Sequence, residues 1–309
     1  MKALVTGSTG QSGSYLIELL LEQNVEVFAL VRRSSIGNTQ RIDHLKDKIT
    51  LIFGDMCDPC SLNHAVNYSK PDWVFNLAAM SFVGESWRQP KYTLDVVAGG
   101  TLNLLEAVRN YAPNAKFYQA SSSEMFGSSP PPQNELTPFH PRSPYGVAKT
   151  AAHLMVQNYR ESYGIQASCG ILFNHESKRR GIEFVTRKVS HGVALIANGK
   201  ATELRLGNLD AKRDWGHSFD YMRAAILMML RDKPDDYVIG SEVAYSVRDF
   251  VSLAFARVGL DWEEHVLIDP AFVRPAEVNH LLADATKAKR ELSWRPTITF
   301  HQLVNEMVD

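Results

Sequence analysis

Two short stretches of this chain carry groups that can move protons. Ala120-Ser121-Ser122-Ser123-Glu124 follows the apolar run Phe117-Tyr118, which predicts Ser122 and Glu124 at the carboxyl end of a strand, where open α/β sheets place their ligands. Farther on, Ser143-Pro144-Tyr145-Gly146-Val147-Ala148-Lys149 sets Tyr145 and Lys149 one helical turn apart, on one face. An ammonium beside a phenol favours the phenolate and lowers its pKa, making Tyr145 a proton acceptor near neutral pH. Ser122 would hold a substrate hydroxyl, and Glu124 would remove or deliver a second proton. A tyrosine and a lysine at this spacing also occur by chance on amphipathic helices, so the surrounding elements must carry the assignment.

Those elements are readable in order. Residues 2–6 form a short apolar strand, Gly7-Ser8-Thr9-Gly10-Gln11-Ser12-Gly13 follows at once, and Leu16, Leu19 and Leu20 then recur at helical spacing. Strand, glycine turn and helix together make a pyrophosphate site, because glycines permit the tight turn and the helix N-terminus attracts the anion. Residues 25–31 are a second strand. An acidic residue at its end would suit the ribose of NAD, whereas Arg32-Arg33-Ser34-Ser35 suits a 2'-phosphate, so NADP is favoured over NAD. Residues 50–53 end in Gly54-Asp55-Met56, with a carboxylate placed to accept from an adenine amino group. Residues 73–77 end in Ala78-Ala79-Met80-Ser81, small enough for close approach of a cofactor. This alternation predicts an α/β fold, a Rossmann-type doubly wound parallel sheet.

Residues 128–144 are rich in Ser and Pro and predict a loop over the cleft. A further strand, residues 166–173, leads into Asn174-His175-Glu176-Ser177, after which short strands mix with helices and arginines recur. Arg213 in Lys212-Arg213-Asp214-Trp215 and Arg274 in Phe272-Val273-Arg274-Pro275-Ala276-Glu277 are set to grip a diphosphate, with Glu277 on a sugar hydroxyl. An apolar helix over 221–230 and a strand over 236–239 belong with the sheet. The expected organisation is therefore interleaved: residues 1–172 with 211–241 as the dinucleotide domain, and 173–210 with 242–309 as a smaller α/β substrate-binding domain.

Composition narrows the function classes. The 309 residues carry 33 basic and 34 acidic side chains, a formal net charge of -1, which removes the signature of a nucleic-acid binder. No apolar run reaches membrane-spanning length and no signal peptide is read, so the expectation is a soluble cytoplasmic protein with no membrane partner. Cys57-Asp58-Pro59-Cys60 spells C-x-x-C without a second pair, Cys169 stands apart, and the ten histidines lack ligand spacing, so no metal is expected.

With these residues in view, the chain resembles the GDP-mannose 4,6-dehydratase family of the extended short-chain dehydrogenases/reductases, in the NAD-dependent epimerase/dehydratase group. The resemblance runs from Ala3 to near the end, through Phe117-Tyr118-Gln119-Ala120-Ser121, Pro141-Arg142-Ser143-Pro144-Tyr145, Asn158-Tyr159-Arg160-Glu161-Ser162, the stretch from Gly170 to Ser177, Phe184-Val185-Thr186-Arg187-Lys188 and Leu206-Gly207-Asn208. It implies a lyase in which C4 of the sugar is oxidised, water leaves across C5 and C6, and the stored hydride returns to C6, leaving the NADP unchanged. Tyr145 would take the C4 hydroxyl proton, Glu124 the C5 proton, Ser122 would position the leaving hydroxyl, and Lys149 would bind the nicotinamide ribose.

Family cofactor contacts carry over onto Gly7, Thr9, Gly10, Gln11, Ser12, Gly13, Arg32, Arg33, Ser34, Ser35, Asp55, Met56, Leu77, Ala78, Ala79, Ser81, Tyr92, Tyr145, Lys149, Leu172, His175 and Arg180. Substrate contacts carry over onto Ser81, Ser122, Glu124, Asn174, Val185, Lys188, Gly207, Arg213, Arg248, Arg274 and Glu277. The family pattern has threonine at Ser122, aspartate at Ser12, glutamine at Met80 and proline at Lys178; none of these departures removes a catalytic group. Arg32 to Asn38 resembles a loop that bridges to a neighbouring subunit, which implies a homo-oligomer, tetramer or dimer, in GDP-fucose or GDP-rhamnose biosynthesis. The same chemistry on a GDP-heptose stays open, as does a GDP-4-keto-6-deoxysugar reductase or epimerase, although a reductase needs no base such as Glu124. A non-catalytic NADP-binding scaffold would have lost the Tyr145 and Lys149 pair that this chain keeps.

Overall fold

The computed structural model describes residues 1–272 and 276–309. Strand β1 (Lys2–Thr6) is buried along almost its whole length, as a strand covered on both faces must be. The chain then alternates: α1 (Gln11–Glu22), β2 (Glu26–Val31), β3 (Thr50–Phe53), α2 (Pro59–Ser69), β4 (Trp73–Asn76), two short helices α3 (Val83–Ser86) and α4 (Pro90–Leu94), α5 (Gly100–Tyr111), β5 (Lys116–Ser122), α6 (Pro144–Tyr163) and β6 (Ala167–Leu172). The second part runs β7 (Asn174–Glu176), α7 (Val185–Ala197), β8 (Leu204–Leu206), β9 (Lys212–His217), α8 (Ser218–Met229), β10 (Asp236–Ile239), β11 (Ala244–Ser246), α9 (Val247–Arg257), β12 (Val266–Ile268), α10 (Thr286–Glu291) and α11 (Phe300–Val308).

Seven parallel strands form the large sheet in the order β10-β6-β5-β4-β1-β2-β3. The chain winds outward from β1 to β3, then restarts at β4 on the other side, so a crevice opens between the carboxyl ends of β1 and β4. Asn76 at the end of β4 ties this switch point together. It accepts from the Thr6 hydroxyl at 2.7 Å and donates to Gln119 at 2.9 Å and Thr101 at 3.1 Å, each a buried polar group that would otherwise lack a partner. One apolar layer packs α1 and α8 on one face of the sheet, and a second packs α2, α5 and α6 on the other.

A three-stranded sheet, β11-β9-β7, and the pair β12-β8 make a smaller layer. Its core joins Val189, Val193, Trp215, Phe250 and Phe300, with Tyr245 stacked on Phe300 at 3.9 Å.

Two parts of the expected division differ. Residues 211–217 do not join the large sheet, because β9 pairs parallel with β7 and antiparallel with β11. Residues 278–294, expected in the smaller domain, contribute Val278, Leu281, Leu292 and Trp294 to the core of the large sheet. The physical anchor is Trp294, fully buried, whose indole N–H donates to Asp220 O at 2.8 Å. The Asp220 carboxylate in turn accepts from the backbone of Thr297 and Ile298 at 2.7 and 3.0 Å.

Candidate active site

A cavity of about 1160 Å³ lies at the carboxyl ends of β1, β2, β4 and β5 and extends to the smaller sheet. Its floor is the glycine turn. Gly7 has a φ of +65°, and a Cβ there would sit 2.7 Å from Leu77 C and 2.8 Å from Ala78 N. Gly13 is equally obligatory, since a Cβ on it would run into Gly7 O and lie 2.7 Å from Ser8 Cα. These contacts draw β1, α1 and β4 together so that backbone lines the cavity. Gly10 is the N-cap of α1 and no side chain caps it, which leaves first-turn N–H groups for an anion.

His175 closes the far side of this turn. Its Nδ1 donates to Phe173 O at 2.9 Å, so Nε2 accepts from the Ser12 hydroxyl at 2.9 Å, while Ser218 donates to Ser12 at 3.3 Å. Burial, with the Arg180 charge adding to it, pulls His175 down to about 4, and it is neutral at physiological pH. Gln11 reaches the same strand, donating to His175 O at 2.9 Å.

The four candidate proton-handling residues, Ser122, Glu124, Tyr145 and Lys149, converge on the cavity wall. Ser122 ends β5, and its hydroxyl oxygen accepts from Glu124 N–H at 3.2 Å, fixing the turn that presents the Glu124 side chain. Glu124 is only 8% exposed. Ser143 caps α6 by accepting from Gly146 N–H at 3.0 Å, Pro144 opens the helix, and Tyr145 and Lys149 follow in its first turns. Gly146 lets α6 seat against β5, since a Cβ would lie 2.7 Å from Glu124 O.

Lys149 Nζ donates to Ala120 O at 2.6 Å and lies 5.8 Å from the centre of the Tyr145 ring. Burial pulls its ammonium down to about 8. Tyr145 corrects the sequence-based expectation of a lowered phenol. Burial pushes it up to about 12, a hydrogen bond with Ser122 and the Arg180 charge pull weakly the other way, and Glu124 adds to the rise. Desolvation outweighs the Arg180 charge.

The smaller sheet supplies the rest of the wall. Asn174 Oδ1 is buried with no hydrogen-bond partner, an acceptor with room for a ligand donor. Lys188 Nζ sits 3.4 Å over the Phe272 ring, with its pKa lowered by burial. Arg213 is 7% exposed and reaches Glu277 at 3.4 Å. Arg180 lies 3.5 Å over the Phe184 ring and 3.0 Å from Glu176. Gly207 abuts Phe272, where a Cβ would lie 2.7 Å from its carbonyl oxygen.

Most residues singled out in the sequence line this one cavity: Gly7, Thr9, Gly10, Gln11, Ser12, Gly13, Arg32, Asp55, Met56, Leu77, Ala78, Ala79, Ser81, Tyr92, Leu172, Val185 and the groups above. Arg33, Ser34 and Ser35 do not; they are exposed beyond the wall, because the chain leaves β2 outward after Arg32. Arg248 is also off the wall, held by Asp210 at 2.8 Å and lying 5.5 Å over Trp262. Arg274 lies outside the described residues.

The sequence reading overlooked Phe82, Trp87, Ile182, Glu183, Phe184 and Phe272, which also line the cavity. Phe82 and Phe184 meet edge to face at 5.6 Å. Their one sequence signal was large aromatic side chains in loop positions next to polar motif residues.

A doubly wound sheet with a glycine turn at β1 and a Ser/Glu/Tyr/Lys set at β5 and α6 defines an extended short-chain dehydrogenase/reductase. Comparison with known proteins narrows this. The family described as GDP-mannose 4,6 dehydratase matches residues 4–307, and the chain belongs to that family. It is 52% identical to GDP-mannose 4,6 dehydratase 1 of Arabidopsis thaliana, over 99% of this chain and 88% of that protein. It is 47% identical to the Homo sapiens GDP-mannose 4,6 dehydratase, over 99% and 90%. Among solved structures, UDP-glucose 4-epimerase of Thermus thermophilus in complex with NAD superposes with a TM-score of 0.88 at 25% identity, covering 100% of this chain and 98% of the other.

Proposed function

We propose that this enzyme dehydrates GDP-mannose to GDP-4-keto-6-deoxymannose using a tightly held nicotinamide dinucleotide, NADP in preference to NAD. The observation that carries the reading is the meeting of Ser122, Glu124, Tyr145 and Lys149 on one wall of a cavity whose floor is the glycine turn. The residues fit the cofactor: backbone is exposed where Gly7 and Gly13 admit no Cβ and the α1 N-terminus is free for a pyrophosphate, while the unpartnered, buried Asn174 Oδ1 is left to accept from the substrate. A nicotinamide dinucleotide bound there supplies a positive charge, a hydride acceptor for C4 and a hydride donor to C6.

The chain supplies the proton chemistry. Tyr145 takes the proton of the C4 hydroxyl, and because burial holds the phenol protonated, positive charge beside it must assist; Lys149 and Arg180 are the protein's share. Once C4 is a ketone the C5 proton is acidic, and Glu124 removes it. The Ser122 oxygen already accepts from Glu124 N–H, so its own proton is directed outward, to the Tyr145 oxygen or to the leaving C6 hydroxyl.

NADP preference is supported by Arg32, which lines the wall and donates to Tyr92 at 2.9 Å, a guanidinium suited to a 2'-phosphate. A homo-oligomer is proposed on the exposed loop beyond it, where Ile36 is 90% exposed on a stretch resembling a subunit-bridging segment. The test is incubation of purified protein and catalytic NADP with GDP-mannose, following product mass. Loss of one water without net NADPH is expected. Tight GDP-mannose binding with no loss of water would refute the assigned substrate.

A further inference from the structure

The inner face of α6 does not stop at its two active residues. Tyr145, Lys149, His153 and Gln157 recur at every fourth position, one stripe against the sheet. His153 is 1% exposed and Cys169, on β6, is fully buried. The His153 ring, the Cys169 thiol and the Asp236 carboxylate of β10 cluster within 4.8 Å, directly behind Ser122, and the proton steps derived above use none of them.

The donors and acceptors assign themselves. Gln157 Nε2 lies 2.7 Å from an Asp236 oxygen, which can only accept, so the amide nitrogen faces the cluster. The same nitrogen lies 3.1 Å from His153 Nε2, which therefore accepts, and His153 Nδ1 must carry the proton and donate to Ser121 at 2.9 Å. Cys169 joins them through its backbone N–H, which donates to Asp236 at 3.2 Å, and its thiol, held neutral by burial and by that carboxylate, packs within 4.8 Å of the His153 and Asp236 ligand atoms. Arg160 closes the charge balance with two bonds to Asp236, at 2.9 and 3.0 Å. The result is a hydrogen-bonded network that runs from Ser121 on β5 through His153 and Gln157 on α6 to Asp236 on β10, where the Cys169 backbone of β6 also ends. The Asp236 oxygens accept from Gln157, Arg160 and the Cys169 N–H, and His153 Nε2 accepts from Gln157, which gives the cluster a structural polar role rather than that of a cation cradle.

We propose that His153 and Cys169 are positioning residues for the reaction, holding β5 and α6 in the register that aligns Ser122 and Glu124 with Tyr145 and Lys149. Ser121 is the joint. It precedes Ser122, and it follows Ala120, whose carbonyl oxygen receives Lys149 Nζ at 2.6 Å. If the Ser121–His153 bond breaks, the strand segment that fixes both Lys149 and Ser122 loses its anchor to the helix bearing Tyr145. The groups facing His153 are Gln157 and Arg160 on its own helix, Ser121 on β5, Cys169 on β6, Asp236 on β10 and the Phe139 ring, edge-on at 5.2 Å. Protonating His153 would set a donor against the Gln157 amide N–H and break that link, and burial lowers its pKa.

The inference rests on the dehydratase reading, and native protein run in the same assay separates the two: inactive native protein refutes that reading and not this one. His153→Leu removes the Nδ1 donor, whereas His153→Asn places an amide N–H near the same point. Cys169→Ala removes the thiol packed against His153 and Asp236, and Cys169→Ser keeps a polar atom of similar size there. The expected result is a kcat about tenfold lower for His153→Leu and Cys169→Ala, with KM for GDP-mannose within about twofold of native and the kcat–pH profile displaced. His153→Asn and Cys169→Ser should recover most of the rate. Four variants guard against one that fails to fold, and circular dichroism with thermal melting identifies it. Retention of native kcat and pH profile in folded His153→Leu and Cys169→Ala overturns the proposal, as does a loss that the conservative variants do not rescue.

Discussion

Replacing Lys149 by Met should change how stability depends on pH, and the size follows from the burial of the ammonium. Lys149 is 3% exposed, and burial lowers it from 10.5 to about 8. At about 1.4 kcal/mol per pKa unit, keeping the charge inside the fold costs roughly 3 kcal/mol. The sign follows from proton counting. Below pH 8 the folded and unfolded states both hold the proton and the full cost is present. Between about 8 and 10.5 the unfolded chain still holds the proton that the folded chain has released, so stability rises with pH. Lys149→Met lacks this term.

The stability of native protein minus that of the variant should therefore climb by about 2 kcal/mol between pH 7 and pH 9.5. Urea unfolding of both proteins at four pH values measures it, and other titrating groups cancel in the difference. The variant should also be catalytically dead, which serves as an independent control. A difference that stays flat within about 0.5 kcal/mol would refute the buried ammonium, and with it the account of how Lys149 is tuned.

Glu124→Gln should cut dehydration by about 10²–10⁴ and leave GDP-mannose binding nearly intact, as read by product mass and calorimetry; activity within a few fold of native would remove Glu124 as the base. Gly7→Ala should destabilise by more than the roughly 1–2 kcal/mol of a left-handed alanine, because its Cβ also meets Leu77 and Ala78 backbone. Gly37→Ala, with a φ of +74° and nothing within 4 Å, should show the backbone term alone, so equal melting shifts would contradict the contact argument. Arg32→Ala should weaken NADP about tenfold and leave NAD unchanged in fluorescence titrations; equal losses would assign the 2'-phosphate to another group.

Much of the large sheet could be read from one dimension. β1, the glycine turn and α1 are contiguous, and hydrophobic period, glycine spacing and helix start all act over a few residues. Tyr145 and Lys149 could be placed side by side for the same reason, sharing one helical face. What the chain conceals is long-range. β9 carries no local mark of which sheet it joins, and only its pairing with β7 decides. Trp294 reads as one more aromatic near the end, yet it seats against α8 through a bond to Asp220. The direction of the Tyr145 pKa was misread because nearness of a cation is visible in spacing, while the depth of burial that overrides it is not. Arg248 was chosen for its charge, and its Asp210 partner comes from a loop far from α9 in the sequence.

The weave of the two sheets constrains how this protein can be recombined with its relatives. After β6 the chain leaves the large sheet for β7, returns through α8 and β10, leaves again for β11 and α9, and comes back once more at α10 before α11 finishes in the small core. A hybrid made with one splice after Leu172 would take β1 to β6 from one parent and β10, α8 and Trp294 from the other, placing the seam inside the main core. Exchange of whole layers between homologues needs several coordinated junctions. Substrate preference in such a fold therefore changes more readily by residue replacement within the cleft than by swapping contiguous blocks of sequence.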